Sequence, residues 1–138
     1  MKFRGIVLVS LSGLVLALAA CSSTQSPTAT TITATLTEYK IELSATSAPA
    51  GQVTFNVTNG GAMVHEFVVL KTDTLAADLP IVDGVVAEED FGALGEVPET
   101  NPGVSGTVTL DLTAGHYAII CNITGHVGLG MVIDFTVN

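Results

Sequence analysis

Near its C-terminus the chain runs Cys121-Asn122-Ile123-Thr124-Gly125-His126-Val127-Gly128-Leu129-Gly130-Met131. A thiol, an imidazole and a thioether therefore recur at five-residue steps within one segment. A second imidazole, His65, stands far upstream in Val64-His65-Glu66-Phe67. The whole chain holds only two Cys and three His, so this group takes up most of its scarce reactive side chains. Soft thiolate and thioether donors beside two imidazoles suit copper, and a His₂Cys trigonal set with a weak Met donor is the blue-copper arrangement. Gly125, Gly128 and Gly130 would let so short a segment turn back sharply, so that its three side chains reach one point. Other chemistry fits less well. A Cys–His nucleophile pair has no use for the nearby thioether, and nothing in the sequence marks an oxyanion arrangement to serve it. A multicopper oxidase needs several His clusters, which three His cannot build. Met131 also fits plain packing on the inward side of a final strand. His116, behind Gly115 at a turn, reads as a solvated strand-start residue, and Met63 as rim surface.

Elements that would position these groups are strands. Ile32, Ala34 and Leu36 alternate with Thr, then Tyr39, Ile41 and Leu43 alternate one residue out of step, which predicts a bulge near Glu38. Turn signals at Pro49-Ala50-Gly51 and Asn59-Gly60-Gly61 bracket the alternating Val53, Phe55 and Val57. His65 opens a further strand through Leu70. Val108, Leu110 and Leu112 mark another, Tyr117, Ile119 and Cys121 the next, and Met131, Ile133, Phe135 and Val137 the last. Between the His65 strand and these C-terminal strands, residues 73–99 hold eight of the 13 carboxylates and no basic residue. This acidic insertion is expected to pack loosely, with a helical turn, and to serve as a solubilising face. Seven or eight short strands around one core predict an all-β, antiparallel Greek-key β-sandwich.

The chain has 138 residues, which allows one domain plus a tail. Thirteen acidic against four basic side chains argue against nucleic acid, whose phosphates need Lys or Arg. Residues 1–20 open with Lys2 and Arg4, continue apolar from Ile6 and end in small residues, as a secretory signal peptide does. The apolar run is too short for a membrane span of about 20 residues. Its end, Leu18-Ala19-Ala20-Cys21, resembles the bacterial lipobox. That resemblance implies that Cys21 is acylated and becomes the first residue after cleavage, tying the protein to a membrane on the export side. Residues 21–31, rich in Ser and Thr, would be a tether and 32–138 the folded domain. Cys121 is then the lone unmodified thiol in an oxidising compartment, where such thiols are usually avoided. It needs a reason to be there.

From about Leu36 to Asn138 the chain resembles the cupredoxin (plastocyanin/azurin-like) family, and the Val64-His65-Glu66-Phe67 segment is similar to that of cupredoxin-like bacterial lipoproteins. The resemblance implies a cupredoxin-like sandwich holding one copper per chain, with His65, Cys121 and His126 as equatorial ligands and Met131 as the axial one. Many cupredoxins follow the first His with Asn; Glu66 stands there in this chain. The implied function is that of a type 1 (blue) copper protein, a membrane-anchored one-electron carrier in the cell envelope, periplasmic or on the outer surface, and not an enzyme. The same ligands would also serve copper storage, delivery or sensing. Expected partners are the membrane, through the lipid anchor, and a transient redox protein, basic enough to suit an acidic surface and docked on apolar Ile123, Val127 and Leu129 around His126. A monomer is expected, with no nucleic-acid partner.

Overall fold

A computed structural model describes residues 29–138. The signal peptide, Cys21 and most of the tether fall outside the described residues. The chain forms β1 (Thr30–Thr37), β2 (Lys40–Leu43), β3 (Ser47–Ala48), β4 (Gly51–Asn59), β5 (His65–Lys71), β6 (Ala93–Thr100), β7 (Ser105–Leu112), β8 (Gly115–Ile120) and β9 (Val132–Val137). They build two facing sheets, ordered β2-β1-β4-β7 and β3-β9-β8-β5-β6. The all-β sandwich stands, but its sheets are mixed rather than purely antiparallel. After the β1–β2 hairpin the chain crosses to the other sheet, where β3 lies parallel to β9, and returns as β4, parallel to β1.

Period-two alternation explains the core. Ile32, Ala34 and Leu36 of β1 and Val53, Phe55 and Val57 of β4 point inward, while the Thr residues between them face out. They meet Phe67 and Val69 of β5, Tyr117 and Ile119 of β8, and Phe135 of β9. Phe55 packs on Phe67 and Phe135 with ring centroids 5.3 and 5.4 Å apart. Each such ring buries enough apolar surface to stabilise the fold by about 2–3 kcal/mol. Tyr117, the largest fully buried side chain, satisfies its hydroxyl by donating to the Thr113 carbonyl at 2.7 Å.

Three expectations are corrected. The change of phase near Glu38 is not a bulge: Thr37 pairs with Lys40, so Glu38 and Tyr39 form a two-residue hairpin turn, with Tyr39 at φ 62°. Nor is the acidic stretch loosely packed. Residues 73–92 cross the outer face of the second sheet and set Ala76, Leu79 and Val86 on Val68, Leu70, Ala118 and Ile120, a second apolar cluster. Residues 93–100 are β6, paired to β5 at the sheet edge. This is why β5 and β8 are apolar on both faces. His116 fastens the excursion rather than facing water alone. Its Nδ1 lies 2.6 Å from the Thr72 carbonyl and its Nε2 2.9 Å from Asp134 Oδ1, which also accepts the Ala76 N–H at 2.7 Å.

Candidate metal centre

The site lies at one end of the sandwich, where β5 begins and β8 ends. Because β5 and β8 are antiparallel neighbours, with Val68 opposite Ile120, the start of one strand meets the end of the other. Continued by one residue, that register sets Cys121 across from Phe67, and His65, two residues before Phe67, brings its Nδ1 to 3.9 Å from Cys121 Sγ. β8 and β9 are also neighbours, so residues 121–131 form the loop between them, closed at its base by the Cys121 N–H donating to the Met131 carbonyl at 3.0 Å. Within the loop the His126 N–H donates to the Ile123 carbonyl at 2.9 Å and the Met131 N–H to the His126 carbonyl at 3.1 Å. Gly125 and Gly130, at φ 88° and 99°, take left-handed turns that a side chain would strain. Gly128 has no such duty: a Cβ there would meet only Ile81 Cδ1, at an ordinary 3.8 Å.

Folding brings three of the expected ligands to one point. One donor atom from each of His65, Cys121 and His126 lies within 4.8 Å of the other two. Cys121 Sγ stands 3.3 Å from His126 Nδ1 and 3.9 Å from His65 Nδ1. Such spacings suit ligands bound at about 2.0–2.3 Å around one ion. All three side chains are buried, and Met131 is fully buried with Cys121 in the main core. His65 Nε2 is buried without a hydrogen-bond partner among the described residues. Buried polar atoms left this way destabilise a fold unless a ligand or function depends on them. A buried thiol, two imidazoles turned to it and an adjacent thioether are a soft donor set, and they fit copper.

Electrostatics around the donors follow from burial. Burial pushes the Cys121 thiol up, and the N–H groups of Glu66 and Ile123 oppose that shift. Burial and then the neighbouring His65 hold the His126 imidazole below its usual value, with Glu38 opposing, which favours the neutral form that binds metal. Glu66 supports the sulfur through its main chain: its N–H donates to Cys121 Sγ at 3.4 Å. Its half-buried carboxyl turns to the acidic excursion and is pushed up to about 7, first by burial and then by Glu88. Main-chain N–H groups of Ala62 and Met63, among others, hold the Glu38 carboxyl below its ordinary value.

Three supporting residues escape a reading of the sequence. Asn59 is buried; its amide donates to the Met63 and Thr100 carbonyls at 2.7 and 2.8 Å and accepts the Gly61 N–H at 2.9 Å, shaping the loop that delivers His65. The Asn59-Gly60-Gly61 turn signal was its only trace. Asn122 pairs with Val86 as a strand would, 2.8 Å to its N–H and 2.9 Å to its carbonyl, and so staples the acidic excursion to the ligand loop. Glu38, three strands earlier in the chain, lies 3.6 Å from His65 Nε2. Val127, expected in an exposed patch, is instead buried in the second cluster; Ile123 is half-buried and Leu129 is 59% exposed.

Comparison with known proteins places the fold. No curated protein matches the chain. Reduced auracyanin from Roseiflexus castenholzii superposes with a TM-score of 0.64 at 24% identity, over 79% of this chain and 97% of that one. Auracyanin A, a "blue" copper protein from Chloroflexus aurantiacus, gives 0.59 at 24% identity, over 80% and 100%. An azurin from Methylomonas sp. strain J gives 0.57 at 19%, over 79% and 98%. These likenesses establish the architecture. The family model for the cupredoxin-like domain matches residues 10–133, nearly the whole chain. With the sandwich, the loop between its last two strands and the buried Cys–His₂–Met group all in place, the chain belongs to the cupredoxin-like domain family.

Proposed function

We propose that the protein holds one copper ion in a type 1 site and carries single electrons while anchored by lipid to the outer side of the cell membrane. The observation that carries this reading is the convergence of His65 Nδ1, His126 Nδ1 and Cys121 Sγ in a buried point beside Met131. Copper, when bound, supplies the one-electron oxidation and reduction. The chain's own residues do the rest. His65 and Cys121 sit at the ends of paired strands, and the loop to Met131 is closed by main-chain bonds. The donors are therefore held in place before and after any change of charge. Apolar packing around Cys121 and Met131 keeps water out. His126, 5% exposed, is the ligand nearest solvent, so its ring edge is the route by which a partner approaches.

Anchoring rests on the lipobox at Cys21, and the chemistry assigned here is transfer of electrons rather than turnover of a substrate. Protein beginning at Ser22 should take up one Cu(II) per chain and turn blue or green through thiolate-to-copper charge transfer. Cys121→Ser should abolish the colour, because a hydroxyl is not a soft donor. A colourless one-to-one complex would overturn the assignment. Full-length protein should fractionate with membranes and Cys21→Ser should release it.

A further inference from the structure

Behind His65, on the side away from Cys121, lies the carboxylate of Glu38. Glu38 holds the first position of the β1–β2 turn, where Thr37 pairs with Lys40. Its Oε1 accepts the Ala62 N–H at 2.6 Å and the Met63 N–H at 2.9 Å. Those two bonds tie the turn to the loop that delivers His65. The same oxygen stands 3.6 Å from His65 Nε2, a charge contact longer than a hydrogen bond. Among the described residues, that nitrogen is buried without a hydrogen-bond partner. Gly61 leaves the room: a Cβ there would lie 2.6 Å from Glu38 Oε1 and 3.0 Å from His65 Nε2. Tyr39, next in the turn, meets the His126 ring edge-on, centroids 5.6 Å apart. One turn backs both imidazoles.

Resting on the copper reading above, we infer that Glu38 is a positioning residue for His65. Its carboxylate holds the ring with Nε2–H toward the turn and Nδ1 toward the metal, and its charge favours the oxidised ion over the reduced one. Two physical effects carry this. A metal-bound imidazole that offers its other N–H to a carboxylate is fixed in tautomer and orientation and becomes a stronger donor. A nearby fixed anion also attracts the more highly charged state of the ion more strongly.

Glu38→Gln tests it, because the amide keeps an oxygen for the Ala62 and Met63 N–H groups and removes only the charge. In the copper-loaded protein, Cu(II) affinity should fall about 10-fold. The reduction potential should rise, by up to the ~59 mV that a tenfold change represents for a one-electron couple. Glu42→Gln is the control: it removes the same charge from the same hairpin, where Glu42 pairs with Lys40 rather than with His65. A third readout needs no metal. The ¹⁵N shifts of His65 in copper-free protein should report the Nε2–H tautomer, and in Glu38→Gln a mixture of both. Affinity and potential in Glu38→Gln equal to those in Glu42→Gln would overturn the inference, as would an unchanged tautomer. If unmutated protein forms no blue complex, the copper reading falls instead, and the tautomer decides Glu38 alone.

Discussion

The two sides of the metal centre are built by different means. On the His126 side, residues 121–131 are held mainly by their own main chain: short-range N–H to carbonyl bonds, left-handed turns at Gly125 and Gly130, and closure at the base by Cys121 and Met131, with Asn122 and the Gly125 N–H adding ties to Val86 and Gly84. On the His65 side, residues 60–64 are held mainly by two side chains outside the loop, Asn59 at the end of β4 and Glu38 from a turn that lies 24 and 25 residues from the amides it accepts. A loop held by local backbone bonds depends on conformation. A loop held by side chains outside it depends on those partners being present. The first tolerates changes of side chain but not of backbone freedom; the second is the reverse.

The sharpest way to break that contrast is at Asn59. Asn59→Ala removes the partner of the Gly61 N–H and the donor to the Met63 and Thr100 carbonyls in a part-buried place. At about 1–3 kcal/mol for each unsatisfied group, partly relieved by water, a loss of about 3 kcal/mol is expected in urea unfolding of the copper-free protein. Amide shifts of residues 60–65 should move while those of 123–131 stay put. Movement on both sides would show that the two loops are not separately held. Gly130→Ala is the complementary break. It forces a Cβ into a φ of 99°, at about 1–2 kcal/mol, and should disturb the loop around His126 while His65 keeps its place.

A smaller effect sharpens the comparison through pH. Glu66 sits between the two sides, its N–H on Cys121 and its carboxyl pushed up to about 7 by burial and Glu88. A carboxyl with a raised folded-state value binds its proton more tightly when folded. It therefore favours folding most at low pH, and that contribution is lost as pH rises from about 4.5 to 7. Because the group is only half-buried, solvent screening limits the effect to the order of 1 kcal/mol. Glu66→Gln should match unmutated copper-free protein near pH 4.5 and exceed it in stability at pH 8. Equal stability at pH 8 would mean that its carboxyl is better solvated than its surroundings indicate.

The same asymmetry governs what the sequence makes legible. Cys121, His126 and Met131 are visible because five-residue spacing and glycines lie in one stretch. Strand alternation fixes which of Ile32, Phe55, Tyr117 and Phe135 point inward. The supports of His65 are hard to read because Glu38 reaches Ala62 and Met63 across folded distance, Asn59 shows only as part of a turn while also reaching Thr100, and neither residue type is rare. Glu38 was legible only as a change of phase, which a bulge and a hairpin turn produce alike. The acidic stretch misleads for a related reason: its few apolar residues, Ala76, Leu79 and Val86, bury fully on a sheet face whose exposure depends on their own placement. Mixed sheet pairing likewise follows from the crossing at β3, only two residues long and without a pattern of its own.

The last difference between the sides is what each shows to solvent, and it gives the prediction with the least effect on folding. His65 is wholly buried behind Gly61 and Glu38, whereas His126 lies under a rim that includes Leu129. Val127 and Leu129 are two residues apart in the same turn yet stand in opposite environments, one in the second core cluster and one at 59% exposure. Val127→Asp would bury an unpaired charge and unfold the turn, so it cannot report on docking. Leu129→Asp changes an exposed side chain and should leave stability within about 0.5 kcal/mol and the blue colour intact. If a redox partner approaches by the His126 edge, the added charge should nevertheless slow electron exchange, measured by stopped flow. The chain's excess of carboxylates should also make exchange with a basic partner fall as salt rises, and exchange with a neutral one stay level. Unmutated exchange rates in Leu129→Asp with every partner tried would move the point of electron entry away from the His126 side and leave the loop with a holding role alone.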